Sequence, residues 1–163
     1  MSEILREWTD FNVAIVGATA ALAGLVIVAA SVNISDIVKS RTLTARLGTA
    51  VATLVGALVI SALGLVPGIE AAWFGGLVIV IALILLVFQV LTIRLLAADS
   101  DPDDQSRWAK SLLGVLPVAA YATAGALGFV SAPAALIAAA AGAILAIVAA
   151  IVVSWVALVE VLR

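Results

Sequence analysis

The sequence predicts an all-α membrane protein: five transmembrane helices in one bundle packed through small residues, amino terminus outside and carboxyl terminus in the cytoplasm. Three observations predict it. Hydrophobic residues make up 66% of the 163 residues and charged residues 11%, where a soluble domain is roughly half apolar and a quarter charged. Too little polar surface remains to cover a compact particle of this size. Apolar runs of about 20 residues, enough to cross ~30 Å of hydrocarbon at ~1.5 Å per residue, recur along the chain. The basic residues then divide unevenly between the two sides. Arg6 stands alone on the amino-terminal side, against Lys39, Arg41, Arg46, Arg94, Arg107, Lys110 and Arg163 on the other, which sets the orientation by the positive-inside rule.

The elements follow in order over a single transmembrane domain, residues 1–163. Ser2 to Phe11 sets Ile4, Leu5, Trp8 and Phe11 on one face and Glu3, Glu7 and Asp10 on the other, an amphipathic lead-in for the outer membrane face. The first span runs from Asn12 to Ile34 without a charge. Its acidic flank and single Arg6 exclude a signal peptide, which needs a basic start. Ser35 to Arg46 reads as a short amphipathic helix or loop. The second span, Leu47 to Val66, stops at the turn pair Pro67-Gly68. The third, Trp73 to Ala97, contains Gln89 and Arg94. Ala98 to Lys110 is a polar loop bearing Asp99, Asp101, Asp103 and Asp104. Asp101 there reads as a helix cap and Pro102 as the first helical residue; the alternative, an oxygen-ligand cation site, lacks EF-hand spacing. The fourth span, Ser111 to Val130, holds Pro117, a kink signal. Ser131-Ala132-Pro133 leaves room only for a tight hairpin into the fifth span, Ala134 to Leu162.

Small residues recur at helical spacing in four spans, and such faces let helix backbones approach closely in lipid. The glycines expected to pack are Gly17 and Gly24 in the first span, Gly48 and Gly56 in the second, Gly125 in the fourth and Gly142 in the fifth. The third span, Leu/Ile/Val-rich from Ile79 to Val87, is expected to face lipid. Polar residues at depth default to a functional reading. Gln89 lies about two turns inside the inner boundary and needs an interhelix partner or a wet cavity, since a lipid-facing amide there is costly. Asn33 lies at a similar depth, as a cap or a partner of Gln89. Arg94 is one turn from the inner end, placed to snorkel to the headgroups or to turn inward towards an anion or Asp36. Gln89, Asn33 and Arg94 are therefore the candidate pore or polar-packing residues. Trp8, Trp73 and Trp108 fall at predicted interfaces, where indole is favoured.

Function is constrained mainly by exclusion. There is no Cys and no His, hence no thiolate chemistry, no haem or iron–sulfur ligation and no histidine general base. A net charge of −2 offers no basic face for nucleic acid. Hydrolase, P-loop and metalloprotease motifs are lacking. No enzyme, cofactor or metal is expected; the expected partners are the lipid bilayer, further copies of the chain and another membrane protein. Two hypotheses remain. One is a homo-oligomeric channel or pore-like protein lined by a ring of Gln89, Asn33 or Arg94. The other is a non-catalytic accessory or scaffold subunit that binds another membrane protein or lipid through its small faces.

Trp8-Thr9-Asp10-Phe11, the run Gly17 to Leu25, Val28-Ala29-Ala30-Ser31-Val32-Asn33-Ile34 and the ending Leu65-Val66-Pro67-Gly68 resemble a group of small bacterial multi-pass membrane proteins of uncharacterised role. The resemblance covers the first half of the chain. It implies a bacterial inner (plasma) membrane and carries no catalytic residue over.

Overall fold

The computed structural model describes residues 6–98 and 107–161. The described residues are helical apart from short turns: α1 (Thr9–Val32), α2 (Ile34–Ile37), α3 (Arg41–Gly64), α4 (Ala71–Ala98), α5 (Arg107–Leu127) and α6 (Ala132–Val161). Among the described residues four stretches are long and apolar enough to cross a membrane: α1, α3, α4 and Ala132–Ala157 of α6. This is the make-up of a membrane protein. Among the described residues α5 contributes a further apolar stretch, Leu113–Leu127.

Local chemistry fixes the joints. Ser40 is extended, and its Oγ accepts a hydrogen bond from the Leu43 N–H at 3.2 Å, capping α3. That cap corrects the expected start of the second span: the helix begins at Arg41, not Leu47, and only Ile34–Ile37 remains a separate turn of helix. Between α3 and α4 the Ile69 N–H donates to the Val66 carbonyl, with Pro67 and Gly68 between them and Gly68 at φ +75°. Pro at the second position and Gly at positive φ at the third make a type II turn. Between α5 and α6 the Ser131 N–H donates to the Leu127 carbonyl at 2.7 Å, and Pro133 sits in the first turn of α6, where its missing N–H costs nothing. The Asp99–Asp104 cluster, the lead-in at residues 2–5, and the side chains of Trp108 and Glu160 lie outside the described residues.

Helices α3, α4, α5 and α6 form a closed ring in which each packs on the next and α6 returns to α3. The diagonal α3–α5 contact is slight. Helix α1 stands outside the ring, laid along α3 and touching α6 only lightly. The core runs through the ring, with Tyr121, Phe74, Leu54 and Val78 completely enclosed.

Of the six glycines expected to pack, three do. A Cβ on Gly56 would meet the Leu85 side chain, one on Gly125 would meet Ile79 and the Gly75 carbonyl, and one on Gly142 would meet the Tyr121 ring. Gly17, Gly24 and Gly48 have nothing within 4 Å of such an atom and are exposed. The reason lies in helix register. The buried side of α1 is Asn12, Ile15, Thr19, Ala23 and Val26, which turns Gly17 and Gly24 outward. The closest backbone approach involves a glycine the sequence did not single out: Gly75 of α4 lies against Gly125 and Gly128, so that a Cβ on Gly75 would be 2.8 Å from the Gly125 carbonyl.

Candidate functional site

The ring encloses a polar chamber at the end where α3 and α5 begin and α4 and α6 finish. Arg46, Thr49 and Thr53 recur at three- and four-residue spacing and so share one face of α3. Gln89 and Thr92 do the same on α4. Gly114 and Pro117 of α5 and Ala146, Ala149 and Ala150 of α6 complete the wall. Every polar member is buried; Gln89 is 3% exposed and Arg46 8%. The cavity of about 30 Å³ has room for roughly two waters, at 10–15 Å³ each.

Hydroxyls tie α3 to α4 in this half. Thr49 Oγ1 and Thr92 Oγ1 are 2.7 Å apart, and Thr92 also donates to the Ala45 carbonyl at 3.3 Å. With Thr92 donating to that carbonyl, its oxygen is free to accept from Thr49. Thr53 donates to the Thr49 carbonyl of its own helix at 2.7 Å. The Gln89 amide lies directly over the Cα of Gly114, where any larger residue would collide with it. Pro117 has no N–H, so the Leu113 carbonyl lacks the partner that an uninterrupted α5 would give it.

The other half of the ring is mainly apolar, with Ser61 of α3 buried there and Asn12 of α1 buried against Gly64. Leu85, Tyr121, Ala57 and Ala143 close the chamber floor, and Phe74, Val78, Ala124, Leu136 and Ala139 fill the bundle beyond it. No polar path joins the chamber to the far end among the described residues. The chamber offers hydroxyl, amide and guanidinium groups, which hold water or a small polar solute by hydrogen bonds. Among the described residues no group of three or more His, Cys, Asp or Glu is placed to hold a metal ion.

The structure does not gather the three candidate polar residues. Gln89 faces the ring interior, as the cost of exposing its amide to lipid demands. Asn33 lies in the turn after α1, half buried, its Nδ2 donating to the Ala29 carbonyl at 3.3 Å. Arg94 is exposed, and neither a hydrogen bond nor an ion pair ties it to a described residue. The inward alternative for Arg94 is not realised, and Asp36 pairs with Lys39 at 2.7 Å instead. Sequence reasoning missed Arg46, Thr49 and Thr92. Their signal was present as polar residues three and four apart at the matching ends of two neighbouring spans. Among the described residues three buried side-chain groups have no hydrogen-bond partner: Asn12 Nδ2, Tyr121 OH and Ser154 Oγ. No family model, curated protein or solved structure matches the chain.

Proposed function

We propose that this chain is a five-span protein of a bacterial inner membrane, amino terminus outside and carboxyl terminus in the cytoplasm, that serves as a non-catalytic accessory or scaffold subunit. In this reading α5 is the fifth span, packed between α4 and α6, and a transmembrane helix of a partner docks on the outer face of α1. One observation carries the reading. Ala14, Gly17, Ala21 and Gly24 form an exposed stripe at helical spacing on the one long helix outside the ring, and no described residue of another helix comes within 4 Å of a Cβ built on either glycine. Lipid tails give two helices no hydrophobic reason to associate, so a small-residue stripe acts through close backbone approach. This one is left unused by the protein's own packing.

The native chain lacks cysteine, which makes single-site cross-linking clean. Ala21→Cys, labelled with a thiol-reactive benzophenone and irradiated in native membranes so that it inserts into a neighbouring C–H bond, is expected to give one discrete adduct. The adduct's mass separates a second copy from a different membrane protein. Gly24→Leu is expected to abolish the adduct while leaving the bundle folded. An Ala21→Cys chain that stays monomeric in its native membrane would sink the reading.

A channel is the second reading, favoured by the polar chamber that ends on an apolar plug. Such constrictions gate by dewetting. It requires native mass spectrometry to find a closed ring of four or more subunits, or Gln89→Leu to change a measured conductance.

A further inference from the structure

On the opposite edge of the ring from α1, α4 and α5 diverge around an apolar groove of about 400 Å³. Leu83, Leu86 and Val90 form its α4 rim, and Val115, Ala119 and Ala122 its α5 side. Two alanines facing three large aliphatic residues leave the trench unfilled. Its α4 side runs from Ile79 to Ile93, about 21 Å at ~1.5 Å per residue. That is longer than the ~15 Å of hydrocarbon in one leaflet of a ~30 Å core, and it has the proportions of an extended fatty-acyl chain. Arg94 follows Ile93 and lies one turn beyond Val90 on the same rim. It is exposed and bound to no described side chain.

We infer that this groove holds one acyl chain of an anionic phospholipid, its headgroup phosphate bound by Arg94 at the inner leaflet. The argument is charge complementarity at the end of an apolar trench of the right length. A guanidinium forms paired hydrogen bonds with phosphate oxygens, and cytoplasmic leaflets present anionic headgroups at that depth. The groove between α1 and α6 provides the contrast. It is smaller, about 260 Å³, and its lining of Leu22, Leu25, Ala150, Ile151 and Trp155 includes no cation. A second copy is the rival occupant. It would bring another free Arg94 into a face that has no described carboxylate to receive it.

The test uses the full chain in nanodiscs of equimolar phosphatidylglycerol and phosphatidylcholine, released into the gas phase so that retained lipids can be counted. Wild type is expected to retain one phosphatidylglycerol per chain, about fivefold enriched over phosphatidylcholine, the preference one basic residue gives at an anionic surface. Arg94→Gln is expected to bring the two lipids to parity, and Arg94→Lys to keep the preference. Ala119→Phe, on an exposed position, is expected to fill the trench and reduce total retained lipid by one. Equal retention of both lipids by wild type, or an unchanged preference in Arg94→Gln, would overturn the inference. So would a disulfide-linked dimer from Val90→Cys, which would assign the groove to a second copy. Gly24→Leu, across the ring, is expected to leave lipid retention unchanged, so this outcome and the docking at α1 are read separately.

Discussion

The two halves of the ring hold together by different means. Where α3 begins and α4 ends, the helices meet through hydroxyls around a small polar chamber, with Thr49 and Thr92 bonded across the interface at 2.7 Å. At the far end they meet through backbone, with Gly75 against Gly125 and Gly128 and the Tyr121 ring on Gly142. In a bilayer the second device is the stronger per contact. Interhelix hydrogen bonds contribute on average only about 0.6 kcal/mol there, because an unfolded chain in the membrane also finds polar partners. Close packing has no such competitor, since lipid tails cannot reproduce an interlocked glycine contact. The apolar half should therefore hold the ring closed, and the polar half should be free to serve some purpose other than stability.

The largest expected effect tests the apolar half at its centre. Tyr121→Ala is expected to cost about 4 kcal/mol, since a fully enclosed aromatic ring leaves a cavity that rigid helices cannot collapse into. Tyr121→Phe removes only the hydroxyl, which has no partner, and should stabilise by about 1 kcal/mol. Unfolding in mixed micelles, followed by circular dichroism, separates the two; a loss in Tyr121→Phe equal to that in Tyr121→Ala would show that the hydroxyl, not the ring, matters. Next in size is Gly128→Leu, expected to cost about 3 kcal/mol by forcing α4 and α5 apart, because a Cβ there would be 2.6 Å from Gly75 Cα. The same assay checks it, and a wild-type midpoint would mean that α5 can shift without penalty. The smallest effect belongs to the polar half. Thr92→Val is expected to cost about 0.6 kcal/mol; a loss as large as that of Gly128→Leu would abolish the distinction between the halves.

How much of this the sequence made legible depends on what each signal measures. The all-helical class, four of the spans, the tight hairpin at Pro133 and the Pro67-Gly68 turn were readable, because chain length and turn chemistry state them directly. The lipid-facing expectation for the third span is met only in part: α4 is a member of the ring and buries Val78, Ala82, Leu85 and Gln89, while α1 is the least buried of the four long apolar helices. Gln89 was placed inside by desolvation cost alone. The buried face of each helix was not readable. In water a helix announces its buried side by an apolar stripe, but here the outward side is apolar too, so Gly17 and Gly56 look alike in sequence. One lies open and the other is under Leu85. Arg46 was read as a loop-end charge because the Ser40 cap, which draws it into α3, depends on a backbone conformation rather than on composition.

The ring closes between α3 and α6, helices separated by two others along the chain. That order has a consequence for biogenesis. A polypeptide inserted from its amino terminus can pair α1 with α3, then α3 with α4, then α4 with α5, each from neighbours already in the bilayer. The surface of α3 bearing Ala50 and Thr53 waits for Ala146 and Ala150, which leave the ribosome nearly a hundred residues later. At ~5–20 residues per second, the chamber stands open to the membrane for several seconds of every synthesis. Thr49 and Thr92 pair across the earlier α3–α4 seam, and the apolar wall of Ala146, Ala149 and Ala150 that covers them is added last.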